Sequence, residues 1–504
     1  MNSLHIQSII LIVVVPLMSS YAIPLIGWKW RKTAFFVAQG AVTVSMMCSF
    51  VILQAVMTRG TIHYHMGGWL PPWGIEYVVD PLNAFMLVMV CVLSFFITLA
   101  SRASVERELP DRKVRFYTIY LLLFTGLLGI VVTGDAFNLY VFLEIASLTA
   151  YALIAIGEDG APLASFNYII MGTIGACFYL LGVGYLYIIT GSLNMADLAK
   201  LLPPLYESKV TLVALVFFVM GMGIKMGLFP MHFWLPDAYT FAPSAVSSFI
   251  APLMTKVMAY VLFRVLLTVF EPSYSLQRVP VGLILSWLAA AAILIGSILA
   301  IAQSDLKRML AYSSVANIGY IVLGLGMGNK LALIGGLFHI LNHAFMKAAL
   351  FMASAGIMYK RGGRIIYQFR GLRRKMPLTM GAFTVATLSM VGIPPTAGFF
   401  SKLYLILGAI EARQWVFIAV ILISSLLNAV YFFRVIEMAF FKPWTSGHAA
   451  SSTPAGDGEK SGMDEMPWSM LIPTLAVAAG IVLLGIFNGP IISGVLERVV
   501  PRGF

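Results

Sequence analysis

The chain has 504 residues, of which 60% are hydrophobic and only 11% charged, with a mean hydropathy of +0.91. A soluble protein of this length needs far more polar surface, so the composition excludes that class and implies a polytopic membrane protein. The formal net charge of +12 would suit nucleic acid, but the basic residues follow loop topology, and no nucleic-acid partner is expected.

A spanning helix needs about 20 apolar residues, and on that scale the sequence predicts about 14 spans in an all-α fold. The first, 4–26, has no basic stretch before it and no A-x-A site, so it reads as a permanent helix rather than a signal peptide. Spans at 34–57 and 80–100 follow. The loop between them holds His63 and His65, which read as solvated. Next come 114–132 and 135–156, the latter carrying Glu144, the one acid deep in any span. Beyond 161–190, the seventh span (210–240) contains Lys225 and then GLFPMHFW, with Gly227 and Pro230. The eighth, 243–270, holds Lys256 and, near its end, Arg264. After 279–301 and 306–327, the eleventh span, 330–358, contains LFHILNHAFMKAALF. This sets His339, His343 and Lys347 at successive i, i+4 steps on one helix face. The stripe suits a hydrogen-bonded seam, a metal site or a proton wire. A third metal ligand is missing nearby, and no metal is expected. The twelfth, 378–409, reads VGIPPTAGFFSK at its centre, with Gly392, Pro394, Pro395 and Lys402. The last two are 415–440, with Arg434 near its end, and 467–495. Both arginines read as snorkelling or pairing near the interface.

With the N-terminus outside, the inward loops hold more than twice as many Lys and Arg as the outward ones, in clusters at Lys29–Lys32, Arg102–Arg115 and Lys360–Lys375. The positive-inside rule then puts both termini on the outer side. The low-complexity TSGHAASSTPAGDGEKSGMDEM reads as a flexible inward linker within 441–466. Cys48, Cys91 and Cys177 all fall in spans without a C-x-x-C, and no G-x-G-x-x-G or P-loop has its strand–helix setting, so no cofactor is expected.

A charge at the bilayer centre costs about 2.5–3.5 kcal/mol on insertion scales, so intramembrane lysines and histidines persist for function or pairing. Lysine can exchange its proton when its surroundings change, whereas arginine keeps it. The Gly-Pro elements of spans seven and twelve match as G-apolar-x-P-x-x-x-aromatic, and FNYIIMGTIGACFYLLGVGYLY in span six echoes FHILNHAFMKAALFMASAGIMY in span eleven. A five-span unit contains an odd number of crossings, so its copy is inverted, and paired broken helices in inverted repeats line ion sites in transporters. A continuous helix over 378–409 would run roughly 48 Å against a hydrocarbon core of about 30 Å. Two half-helices with unwound backbone at Gly392–Pro395 fit better than a simple proline kink, the alternative. The predicted organisation is helices 1–3 (1–113), two repeats (114–270 and 279–440), the linker (441–466) and a last helix with its tail (467–504).

FNLYVFLEIASLTAYALI, IKMGLFPMHFWLPDAYTFAPSAVSSFIAPLMTK, LFHILNHAFMKAALF and VGIPPTAGFFSK together resemble the proton-pumping antiporter-like family shared by respiratory complex I, Mrp-type Na+/H+ antiporters and membrane-bound hydrogenases. The resemblance runs from about residue 80 to 440. It implies a non-redox, proton-translocating subunit in a prokaryotic inner membrane, partnered by small membrane subunits, with protons and Na+ as candidate ions. It further implies that Glu144 and Lys225 form an ion pair, that Lys256, His339, His343 and Lys347 form a central relay, and that Lys402 is the terminal proton site. Ala245 and Leu143 depart from the family pattern, where a proline and an aromatic are frequent; neither position touches a titrating group. The lysine at 402 and the phrasing APSAVSS and GIPPTAGFFSK are most similar to the D-type Mrp subunit, with hydrogenase and complex I subunits as alternatives. A stand-alone transporter for a small organic substrate is the competing class.

Overall fold

The computed structural model describes residues 3–443 and 463–501, so most of the expected linker lies outside the described residues. The helices are α1 (Ser3–Gly27), α2 (Thr33–Arg59), α3 (Pro81–Glu108), α4 (Lys113–Val132), α5 (Ala136–Ala155), α6 (Ala161–Thr190), α7a (Lys209–Met226) with α7b (Trp234–Phe241), and α8 (Ser244–Arg264). They continue as α9 (Val281–Ile301), α10 (Leu306–Gly326), α11 (Lys330–Arg361), α12a (Pro377–Val391) with α12b (Ala397–Glu411), α13 (Trp415–Ile436) and α14 (Trp468–Ile486). Among the described residues, 13 helices are long and apolar enough to cross a membrane. The predicted span missing from that count is 378–409, which is divided into two halves of 15 residues. The last span is interrupted at Phe487, just before Gly489 and Pro490, and short helical segments continue from Asn488 to Val499.

The ends of these helices are written locally. Asp80, Asp135, Asp305 and Asn329 each accept a hydrogen bond from the first turn of α3, α5, α10 and α11 respectively. Gly227 (φ 72°) and Gly392 (φ 94°) end α7a and α12a in the left-handed region that favours glycine, and a proline follows each.

A two-bond bridge occurs twice. The Ala136 amide donates to the Leu193 carbonyl (2.8 Å) and Met195 to Gly134 (2.9 Å), while Leu306 donates to Arg364 (2.8 Å) and Ile366 to Ser304 (2.9 Å). The start of α5 is thereby tied to the segment after α6 just as the start of α10 is tied to the segment after α11. Five spans separate α5 from α10, so the bridges lie at opposite ends of the bundle. The ends of α8 and α13 also match. Arg264 on α8 binds Asp80 through Nη1 (2.6 Å) and Nη2 (3.0 Å), and Asn83 (2.6 Å). Arg434 donates to the carbonyls of Ile301 (2.8 Å) and Gln303 at the end of α9, where a cation complements the helix dipole. Both arginines are paired rather than snorkelling. Arg264→Ala should strip Asp80 of its counter-charge, and breaking such a pair costs about 3–5 kcal/mol. A lower thermal transition of the purified assembly, with a smaller drop for Arg434→Ala, is the expected result.

Enclosure is uneven. The apolar window of α11 is wholly buried and those of α8 and α10 are 89% buried, whereas that of α1 is 33% buried. The helix carrying the His–His–Lys stripe is therefore the most enclosed. On the side the charge rule assigns as outer, β1 (Ile62–His65) pairs antiparallel with β2 (Glu76–Val79). The loop is not simply solvated. Glu76 is buried, lies 2.5 Å from His63 Nδ1 and accepts from Asn194 Nδ2 at 2.8 Å, fastening the hairpin to the segment after α6. Burial pushes the Tyr77 phenol of this hairpin up to about 12, with Tyr64 adding to the effect, so it is neutral at ordinary pH.

Candidate functional site

Lys225 occupies the last turn of α7a, where Gly227 stops the helix. Its ammonium reaches α5, 3.5 Å from Glu144 Oε1 and 2.7 Å from Ser147 Oγ. Lys225 is buried, while the Glu144 side chain is 26% exposed at the edge of the chain. Trp234 Nε1 donates to the Ile224 carbonyl (3.0 Å), bridging the break from its far side. The pair expected from the sequence is present, and Ser147, one helical turn beyond Glu144, completes it.

Lys256 turns back on its own helix and donates to the Ala251 carbonyl (2.6 Å), beside the helix-interior Pro252, and to Thr255 Oγ1 (3.2 Å). On α11, the rings of His339 and His343 lie 5.9 Å apart and nearly parallel. His339 is hydrogen-bonded on both nitrogens, to Ser401 Oγ (2.9 Å) and Asn317 Oδ1 (3.1 Å). His343 has both nitrogens buried without a protein partner. Lys347 donates to the Leu310 carbonyl (2.6 Å) and to Ser313 on α10. Ser313 on Lys347 and Asn317 on His339 stand one turn apart on α10, Ser401 on His339 adjoins Lys402, and α8, which carries Lys256, packs along α11. The five groups thus form one cluster, linked by proximity and neutral bridging groups rather than by direct lysine–histidine hydrogen bonds.

Lys402 lies on α12b but binds across the break. Its ammonium donates to the Met390 (2.9 Å) and Val391 (3.0 Å) carbonyls at the end of α12a and to Ser425 on α13 (3.0 Å). It stands 5.1 Å from the centre of the Tyr320 ring. A Cβ on Gly392 would meet Lys402 Cδ at 3.2 Å, so glycine at this turn leaves room for the lysine stem. Beside the α7a–α7b break stand aromatic side chains of α5, α6 and α7b. Tyr168 stacks on Trp234 at 3.9 Å and meets the edge of Tyr151 at 4.6 Å.

Residues 133–428 match the family described as NADH:quinone oxidoreductase/Mrp antiporter, transmembrane. The chain belongs to this family. It is 50% identical to the N subunit of the NADH-quinone oxidoreductase of Desulforudis audaxviator, over 98% of both chains. It is 31% identical to the D-type subunit of the Na(+)/H(+) antiporter of Alkalihalophilus pseudofirmus, over 91% of this chain and 89% of that one. Among solved structures it resembles a chain of the membrane-bound sulfane sulfur reductase, an archaeal respiratory membrane complex, with a TM-score of 0.88 and 31% identity over 97% of this chain and 96% of that one.

This member of the NADH:quinone oxidoreductase/Mrp antiporter family carries polar neighbours that sequence reasoning missed. Ser147, Ser313, Asn317, Ser401 and Ser425 all touch a buried lysine or histidine. Their signal was present: Ser401 precedes Lys402, and Ser313 and Asn317 stand one turn apart on α10. Lys307, in the first turn of α10, is buried and donates to the Ala242 carbonyl at 2.7 Å. It lines a cavity of about 590 Å³ on the Lys/Arg-rich face, together with Glu108, Ser244 and Arg364. Buried polar atoms are almost always hydrogen-bonded, so the unpartnered His343 nitrogens call for water. A high-resolution map of the assembled protein should show ordered waters joining Lys256, His339, His343 and Lys402. Tetrahedral density at about 2.0–2.1 Å from both histidines would instead identify zinc.

Proposed function

We propose that the chain is the proton-translocating subunit of a multisubunit membrane complex, built on two inverted five-helix units (114–270 and 279–440). One observation carries the reading: Lys256, His339, His343, Lys347 and Lys402 are all buried together, and the partners of their nitrogens are serine and threonine hydroxyls, an asparagine and backbone carbonyls. A charge balanced only by dipoles is poised to respond when a neighbour gains or loses a proton. Glu144 and Lys225 act as the input pair, the α8–α11 cluster as the relay, and Lys402 as the terminal site, in a prokaryotic inner membrane with both termini outside.

Between complex types, we infer a redox-linked one. The higher identity, over nearly the whole chain, is to a relative named as the N subunit of an NADH-quinone oxidoreductase. A D-type Mrp subunit is the second reading, favoured by the lysine at 402 and by the 31% identity to the antiporter relative. Affinity purification through a C-terminal tag, followed by reconstitution into vesicles, tests both. Co-purifying membrane subunits and proton uptake driven by NADH and a quinone are expected. Proton flux driven by a Na+ gradient alone would favour the Mrp reading. A lone chain moving an organic substrate would overturn the proposal.

A further inference from the structure

Two of the helices that pass inward-to-outward beside the relay, α8 and α12a, begin without caps of their own, unlike α10 with its Asp305. α8 starts after Pro243 and α12a after Met376, and neither residue offers a capping side chain. The missing partners come from outside the two five-helix units. Glu108, at the end of α3, accepts from the Ser244 amide at 2.8 Å. Glu465, on the segment leading into α14, accepts from the amides of Leu378 (2.5 Å) and Thr379 (3.3 Å) and from the Thr379 hydroxyl (2.5 Å).

The attachment at α12a is the more elaborate. The Asp464 amide donates to the Lys375 carbonyl (2.7 Å), and the Asp464 carboxylate pairs with Lys360 (2.5 Å). Met466 is buried and packs so closely on Gly356 of α11 that no Cβ would fit between them. Because backbone helix bonding is interrupted between Val391 and Ala397, α12b holds α12a through bonds that involve side chains, from the Gly398 amide to Ser389 Oγ (3.1 Å) and from Lys402, and not through a continuous helix ladder. Its position is set by side packing and by what grips its two ends. At one end an acid meets the positive pole of the half-helix, and at the other the Lys402 ammonium meets the negative pole.

We propose that Glu465 is a positioning residue for Lys402. By capping α12a from another segment it sets the place of the Met390 and Val391 carbonyls, and so the proton affinity of the lysine they hold. The inference rests on the reading of Lys402 as the terminal proton site.

Glu465→Ala and Glu465→Gln, compared with the parent at matched levels of assembled complex in vesicles, test it. Glu465→Ala should slow proton transport about fivefold, the size expected for a lost cap, and should displace the pH at half-maximal transport. Glu465→Gln, which keeps one acceptor oxygen, should displace it less and in the same direction. Hydrogen exchange should quicken both in the first turn of α12a and at residues 390–396. An unchanged pH profile, with faster exchange confined to the first turn, would reduce Glu465 to a local cap and overturn the proposal. Should Glu465→Ala fail to assemble, Glu465→Gln carries the same readouts. Lys402→Arg separates the two readings: normal transport in that variant removes the terminal-site role itself, whatever Glu465 does.

Discussion

Lys402→Arg and Lys402→Ala should both stop proton-coupled transport while leaving assembly largely intact. Lys402 plainly caps α12a, since two of its three partners are the last carbonyls of that half-helix and the third is Ser425. A cap alone would accept arginine, which has more donors and the same charge. A proton carrier would not, because arginine keeps its proton at any working pH. The surroundings favour the carrier. The ammonium meets about half a negative charge from the helix terminus rather than a full carboxylate, so its proton is held by dipoles that a nearby cation or added water can outweigh. The break makes this possible, because Gly392–Thr396 frees the carbonyls a continuous helix would have consumed. Lys402→Glu should retain part of the activity, since it still offers a titrating site. Vesicle assays at equal complex levels decide the matter: robust pumping or antiport by Lys402→Arg would leave the lysine a structural cap.

Legibility in the sequence followed the range of the interaction that defines each feature. The spans depend on local hydropathy, and 161–190 was placed as Ala161–Thr190 is observed. Both breaks were legible because glycine and proline act on their own backbone, and the stripe because i, i+4 spacing is local. Features made between distant segments were not. Nothing near residue 465 announces that its carboxylate caps a helix starting at 377, and nothing near Lys307 announces the Ala242 carbonyl that only the fold brings to it. The His63–Glu76 contact was hidden for the same reason: strand pairing, not sequence proximity, buries the acid. Lys256 shows a subtler limit. Its burial was legible, but not that its ammonium would fold back on Ala251 rather than face the histidines.

Glu144→Ala should abolish proton translocation, with a loss of about 100-fold or more, because it removes the one carboxylate paired with Lys225. The separation of 3.5 Å is long for an ion pair, and the 2.7 Å bond to Ser147 is the tighter contact. Ser147 is neutral, so without Glu144 the buried ammonium has no counter-charge, and an uncompensated buried charge costs about 3–5 kcal/mol. The lysine must then lose its proton or move, and either removes the switchable pair. Glu144→Asp should be milder: it keeps the charge and only lengthens an already loose contact, in a site where the acid is 26% exposed. Glu144→Gln tests the charge itself, since it preserves shape and still hydrogen-bonds. The double variant Glu144→Gln with Lys225→Met separates structure from function. If the pair served only to balance charge, removing both would restore transport along with stability, because two neutral side chains leave nothing uncompensated. If the pair takes part in proton movement, assembly and thermal stability should recover while translocation stays lost. Normal translocation by Glu144→Ala, measured in the assembled complex, would remove the pair from the path.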